Sequence, residues 1–230
     1  MPSKKKPVFY TELFYVLGML TLAFGCAFME KANFGLSMVV APAYLLYRRL
    51  VLIWPSVTFG MMEYIFQAFL LILMCLCIRK IKLAYLFSFV TAVLYGFLLD
   101  GTMFVVSFLP AGIVFRAVYY VAGLLLCSLG VASMLHTYIS AEVYELIVKE
   151  VPESFHFSVP VFKTIYDIVS CLIALIMSFV FFGLWTFVGV NWGTVLCALV
   201  NGFLIGVISK FIDNHFTMRD LLPLRKVFEK

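Results

Sequence analysis

Charged side chains are scarce in this sequence. Only 13% of its 230 residues are Asp, Glu, Lys or Arg, whereas ordinary globular chains carry about 25%. In contrast, 64% of the residues are hydrophobic and the mean hydropathy is +1.09. This composition excludes a water-soluble globular protein and predicts a polytopic membrane protein. The loops between the apolar runs are too short to fold alone, so a single membrane domain is expected over residues 1–230.

The sequence also lacks the short motifs that many enzymes require. It contains no His-Glu-x-x-His, no Gly-x-Ser-x-Gly and no glycine-rich phosphate loop. The three histidines, His136, His156 and His215, match no metal-ligand spacing. All six cysteines lie in apolar runs, where free thiols are expected rather than disulfides. We therefore expect no enzyme, no metal or other cofactor, and no nucleic-acid partner.

Long apolar runs, by contrast, are abundant. A helix needs about 20 apolar residues to cross a bilayer, and six runs are long enough: 9–29, 57–78, 84–106, 114–135, 162–187 and 190–211. The segments near 37–54 and 140–151 are interrupted by charged residues or proline. They are predicted to be short helices at the membrane boundary or re-entering the membrane, with Ser37 and Ser140 as N-caps. The expected fold is all-α, with six transmembrane helices.

The positions of Lys and Arg predict the orientation in the membrane. With the N-terminus inside, thirteen of the 17 Lys and Arg residues fall on the inner side and four on the outer side. Positive residues favour cytoplasmic loops, so both termini are predicted to be cytoplasmic. The basic tail over residues 213–230 is expected to lie on the anionic inner leaflet, with membrane lipids as its partners.

An internal repeat divides the chain into two halves. Residues 88–100 and 194–206 share a Gly-Phe-Leu core, residues 24–29 resemble residues 129–134, and Pro55 and Pro160 each open an apolar helix. These matches lie at offsets within 104–106 residues. Three crossings separate matched spans, so the halves, about 9–110 and 114–212, run in opposite directions. The pattern predicts a 3+3 inverted repeat, typical of transporters with a site between the halves.

Several short runs also resemble a known family. They are residues 31–38, 41–44, 58–60, 63–64, 67, 95–96, 100, 142–145, 148–150 and 198–202. Through them the chain is similar, over most of its length, to the bacterial YczE/YyaS/YitT group of integral membrane proteins. The resemblance implies a multi-pass protein of the bacterial inner membrane with transporter-like topology. It implies no catalytic motif and no particular substrate.

Two acidic residues inside the apolar runs are predicted to couple transport to protons or cations. Ionisable side chains are costly in a membrane, so Glu63 and Asp167 are functional candidates. They are near-equivalent in the repeat, but each also lies near a helix N-terminus, where the helix dipole stabilises a carboxylate. Lys163, one turn before Asp167, is expected to pair with it. Glu63 is then the better candidate for binding and releasing a proton.

A substrate-binding site is predicted near the bilayer midplane. Gln67, Tyr95 and Asn201 fall at similar depths, and Gly96 and Gly202 allow close backbone approach. The alternative is that these residues make interhelical hydrogen bonds and packing contacts. Another group of charged residues is expected at the outer boundary, either as an outer gate or as interfacial ion pairs and snorkelling side chains: Glu30, Lys31, Arg48, Arg49, Asp100 and Arg116.

Together these patterns predict a small-molecule membrane transporter, or permease, with an unknown substrate. Two alternatives stay open. Ala23-x-x-x-Ala27 is a small-residue motif of the kind that docks a partner helix, as in the substrate-binding subunits of energy-coupling-factor importers. The other alternative is a membrane scaffold or regulator that transports nothing. A second copy of the chain and another membrane protein are both left open as partners.

Overall fold

Eight helices and two short strands make up the computed structural model, which describes residues 7–221. In chain order they are β1 (Val8–Tyr10), α1 (Thr11–Ala32), α2 (Ala41–Leu50), α3 (Phe59–Ile78), α4 (Leu83–Ser107), α5 (Ile113–Leu135), α6 (Val143–Phe155), α7 (Val159–Phe182), α8 (Trp192–His215) and β2 (Thr217–Arg219). Residues 222–230 of the predicted basic tail, and the lysines at positions 4–6, lie outside the described residues.

The predicted all-α membrane fold is confirmed. Six helices, α1, α3, α4, α5, α7 and α8, are long and apolar enough to cross a bilayer. The helices α2 and α6 occupy the two interrupted segments. The fifth span was expected to reach residue 187, but α7 ends at Phe182 because Gly183 adopts φ 98° and leaves the helix. Residues 184–187 are apolar, so hydropathy alone does not reveal this end.

The predicted N-caps of the two short helices are wrong. The cap of α2 is Val40 and that of α6 is Glu142, and neither cap makes a side-chain hydrogen bond to its helix. Both helices therefore begin after the serines that were expected to cap them. The Ser140 carbonyl instead accepts a hydrogen bond from Thr91 on α4. The Glu142 side chain lies in the protein interior, where it accepts a hydrogen bond from Gln67.

Two pairs of glycines form the crossing of α1 and α5. A Cβ added to Gly25 would lie 2.9 Å from the Gly123 carbonyl oxygen, and one added to Gly123 would lie 2.8 Å from the Gly25 carbonyl oxygen. Gly18 and Gly130 approach each other in the same reciprocal way, at 3.1 and 2.7 Å. The 105-residue repeat offset relates Gly18 to Gly123 and Gly25 to Gly130. Reciprocal contacts between equivalent positions are what a two-fold axis generates, as the inverted repeat predicts.

Other helix contacts follow the same two-fold relation. The packing of α1 on α4 matches that of α5 on α8, and α2 on α3 matches α6 on α7. The contact of α2 with α7 likewise corresponds to that of α6 with α3.

The pair α3 and α4 departs most strongly from this symmetry. Gly96 on α4 packs against Gly60 on α3, where an added Cβ would lie 2.7 Å from the Gly60 carbonyl oxygen. The equivalent helices α7 and α8 scarcely touch within the described residues. Gly202 on α8 has no heavy atom within 4 Å of an added Cβ. The second half is therefore open where the first half is closed.

The two ends of the described chain lie on the same face of the helical bundle. Strands β1 and β2 pair in parallel, with Val8 opposite Thr217, so the start of α1 lies beside the end of α8. This arrangement agrees with an even number of crossings. We call this face the terminal side, and the opposite face, which carries residues 33–40 and the start of α3, the far side.

Candidate functional site

A cavity of about 570 Å³ lies between the two halves. Its walls are formed by α1, α4 and residues 37–40 from the first half, and by α5, α6, α7 and α8 from the second half. It extends from residues 37–40 towards the terminal side, where Leu135 and Lys149 line it. Its volume is in the range that binds small molecules. We call it the central cavity.

Three of the five predicted binding residues line the central cavity: Tyr95, Asn201 and Gly202. Asn201 also accepts a hydrogen bond from Ser128 at 2.8 Å, which joins α8 to α5. Gly96 does not line the cavity, because it packs α4 against α3. The fifth residue, Gln67, is 0% exposed and lies behind the cavity wall.

Gln67 instead joins two buried glutamates. Its amide nitrogen donates to Glu63 Oε1 at 3.4 Å and to Glu142 Oε2 at 3.2 Å. Its amide oxygen accepts from the backbone nitrogen of Val143 at 3.0 Å. Glu63 is 0% exposed and Glu142 is 3% exposed. A single amide group therefore connects carboxylates from α3 and from the start of α6.

Three buried polar atoms around this network lack a hydrogen-bond partner within residues 7–221: Glu63 Oε2, Glu142 Oε1 and Tyr144 Oη. Tyr144 lies near Glu63 and interacts with it electrostatically, but the hydroxyl makes no hydrogen bond of ordinary geometry. A buried polar group without a partner costs about 1–3 kcal/mol. Such a concentration of unsatisfied atoms points to a bound proton, water or ligand at this position.

The surroundings of Glu142 favour its protonated form. Burial, and then the nearby carboxylates of Glu145 and Glu63, raises the pKa of Glu142 well above its usual range, while the hydrogen bond from Gln67 opposes the rise. Glu142, Tyr144 and Glu145 all line the central cavity. The sequence analysis did not select these three residues as functional, because it assigned this segment to a short helix at the membrane boundary, where charged side chains are common. A signal was present, since acidic residues in a helix expected to re-enter the membrane are themselves functional candidates.

The predicted pairing of Asp167 is confirmed. Lys163 Nζ lies 3.6 Å from Asp167 Oδ2, one helical turn away on α7. Both side chains line the central cavity, so the pair contributes little net charge to it. Among residues 7–221, no three His, Cys, Asp or Glu side chains are placed to share a metal ion.

The predicted outer-gate residues lie on the far side, where tyrosine and backbone groups connect them. The Tyr44 hydroxyl donates to Glu30 Oε1 at 3.1 Å and accepts from Arg48 at 2.8 Å. Asp100 accepts from Thr58 Oγ1 at 2.6 Å and from the Gly60 backbone nitrogen at 2.8 Å, which fixes α4 to the start of α3. Glu30 and Arg48 thus share a hydroxyl group rather than forming a direct ion pair.

Two of the remaining far-side cations bind backbone carbonyls. Lys31 donates to the Ser107 oxygen at 3.0 Å, and Arg116 donates to the oxygens of Ala32 at 2.7 Å and Asn33 at 3.1 Å. Arg49 is exposed. These hydrogen bonds connect the far-side ends of α1, α4 and α5, so the protein is closed between the central cavity and the far side.

The small-residue motif on α1 is buried inside the protein. Ala23 and Ala27 are both 0% exposed, and the Ala23 carbonyl accepts a hydrogen bond from Thr102 on α4 at 3.2 Å. The motif therefore packs against the protein's own helices and offers no surface to a partner helix.

A known protein family matches this chain over most of its length. Residues 9–210 match a family described as a family of unknown function, DUF6198. The chain belongs to this family. The match runs from β1 into α8 and so includes both halves and the central cavity. No curated protein and no solved structure matches the chain. The match supports membership of an uncharacterised membrane-protein family. It does not support the expected YczE/YyaS/YitT group specifically.

Proposed function

We propose that this protein is a small-molecule permease that works by alternating access, with the central cavity as its binding site. The observation that carries the proposal is the broken symmetry between the halves: α3 packs closely on α4, whereas α7 and α8 stand apart. Inverted repeats that adopt different conformations produce a cavity open to one side. Exchanging the two conformations opens the other side, so a second state is implied by the same sequence.

The second state of this transporter would separate α3 from α4 and close α7 on α8. Opening the far side requires breaking the hydrogen bonds of Asp100 to Thr58 and Gly60, and the Tyr44 contacts with Glu30 and Arg48. Each of these four hydrogen bonds has a charged partner, and such bonds contribute about 1.5–3 kcal/mol each. The closing of α7 on α8 must therefore supply compensating contacts for both states to be populated.

Coupling to protons is assigned to Glu63 in this proposal. Glu63 is fully buried, its Oε2 atom has no hydrogen-bond partner within residues 7–221, and Gln67 connects it to the cavity-lining Glu142. Asp167, by contrast, is neutralised by Lys163. The proposal includes a location in the bacterial inner membrane with both termini in the cytoplasm, so the terminal side faces the cytoplasm and the described state is inward-open.

Electron-spin distance measurements test the proposal. One pair of spin labels at Val161 and Val207 reports the α7–α8 distance, and a matched pair at Ile65 and Gly101 reports the α3–α4 distance. We expect two populations for each pair, with the first distance shrinking as the second grows when the pH is changed from 8 to 5. A single unchanged distance for both pairs at both pH values contradicts alternating access.

A further inference from the structure

Within residues 7–221, no basic side chain forms a salt bridge with Glu142, an acidic residue that lines the central cavity. Five charged side chains line it: Glu142, Glu145, Lys149, Lys163 and Asp167. Lys163 pairs with Asp167 and also attracts Glu145, and Lys149 is exposed at the terminal end of the cavity. Glu142 lies deeper, is 3% exposed, and has one carboxylate oxygen without a hydrogen-bond partner within residues 7–221.

A second carboxylate adds to the negative character of this position. Glu63 lies behind Glu142 and is joined to it through Gln67. Two buried carboxylates cannot both ionise in an apolar environment unless a cation compensates them. A ligand with a positive charge is therefore favoured at Glu142, and an anion is disfavoured.

The rest of the cavity wall suits an apolar ligand body. Aliphatic side chains such as Leu22, Met29 and Val131 line it together with the tyrosines Tyr95 and Tyr166. Aromatic rings attract organic cations through their π faces, and pockets of this size bind small molecules mainly through apolar surface. The ligand expected here combines one positive charge with a bulky apolar body.

The gap between α7 and α8 provides a route for such a ligand. Gly202 and Gly206 on α8 line the cavity and face open space. Next to them α8 exposes the large apolar side chains Leu199 and Phe203, which in a bilayer contact lipid. A ligand dissolved in the membrane would thus reach the cavity laterally.

We propose that the central cavity binds an amphipathic organic cation, which enters from the membrane between α7 and α8 and pairs with the carboxylate of Glu142. This inference rests on the proposed transporter function and names its substrate class. The alternative source of a positive charge, a small inorganic cation, leaves the apolar walls and the lateral gap without a role.

Binding of the cation is accompanied by loss of a proton. Burial raises the pKa of Glu142, so the empty site holds the neutral acid, and the incoming cation replaces that proton one for one. Other titratable or charged groups surround Glu142: Tyr15 and Cys26 on α1, Glu63 on α3, Tyr95 on α4, Cys127 on α5, Tyr144, Glu145 and Lys149 on α6, and Lys163, Tyr166 and Asp167 on α7. Binding should therefore tighten with rising pH, by at most about tenfold per pH unit.

Two ions of equal shape and opposite charge test the inference directly. Binding of tetraphenylphosphonium and tetraphenylborate to the purified full-length protein is measured by equilibrium dialysis. We expect the cation to bind at least tenfold more tightly than the anion. Glu142→Gln should weaken binding of the cation at least tenfold and remove its pH dependence. The control Glu153→Gln, an exposed glutamate on the same helix, should change neither.

A second variant tests the inference without depending on whether Glu142→Gln folds. An added Cβ at Gly202 meets no heavy atom within 4 Å, so Gly202→Leu places a side chain in the open space beside α8. It should abolish binding of the cation while the melting temperature is unchanged or raised. Equal binding of both ions overturns the inference, as does cation binding that neither variant changes. Cation binding that depends on Glu142 but gives no uptake into proteoliposomes supports the site and contradicts the transporter function.

Discussion

The crossing of α1 and α5 leads to the most quantitative prediction. Replacing Gly25 with alanine places a Cβ 2.6 Å from the Cys127 backbone nitrogen, whereas ordinary van der Waals contact begins at 3.4 Å. The nearest atoms include backbone, so a side-chain rotation cannot relieve the clash. The two helices must move apart by the difference, about 0.8 Å. A gap of that size loses a quarter to a half of the dispersion energy of the contacts it separates.

Gly25→Ala should therefore lower the free energy of unfolding by about 1–3 kcal/mol, the usual cost of overpacking a core. The matched control is Gly202→Ala, where an added Cβ meets no atom within 4 Å. Alanine forms helix better than glycine by about 1 kcal/mol, so the control should be neutral or slightly stabilising. Reversible unfolding in mixed detergent micelles, followed by circular dichroism, measures both variants.

The two-fold axis makes the prediction stricter. Gly130 is the repeat equivalent of Gly25, and an added Cβ there would lie 2.7 Å from the Leu22 backbone nitrogen. Gly130→Ala should cost about as much as Gly25→Ala. Equal free energies of unfolding for Gly25→Ala and Gly202→Ala would contradict the predicted clash. A loss of stability in only one of Gly25→Ala and Gly130→Ala would contradict the two-fold packing.

Two further predictions concern coupling and topology. Glu63→Gln should reduce the pH dependence of transport to the part that arises from Glu142, while the melting temperature stays near that of the parent. Asp167→Asn should mainly lower the melting temperature, because it removes the partner of Lys163. Unchanged pH dependence in a transport assay of Glu63→Gln would exclude that residue from coupling. A cysteine at His156, in a variant lacking the native cysteines, should react with impermeant maleimide only from the side that carries the termini, and labelling from the opposite side would contradict the topology.

The fold class, the number of spans and the repeat can be predicted from the sequence. Six spans follow from hydropathy, since only helices with about 20 apolar residues satisfy their backbone hydrogen bonds while crossing a bilayer. The pairing of Lys163 with Asp167 also follows from local spacing, because residues four apart on a helix are neighbours. The repeat offset related Gly25 to Gly130 before any contact was known. What these features share is that each depends on residues close together in the chain or on a repeated pattern.

Which residues from distant helices contact each other cannot be predicted from the sequence. Gly96 and Gly202 match in sequence, yet one packs against Gly60 and the other faces open space. From the sequence, Glu142 is expected to be a charged residue at the protein surface. In the structure it precedes the first residue of α6, and its side chain is buried, where Gln67 donates hydrogen bonds to both Glu142 and Glu63. Both outcomes depend on how the two halves are docked, and the same repeated sequence permits either an open or a closed pair of helices. The physical reason is that a repeat specifies equivalent elements, whereas the cavity arises from the difference between them.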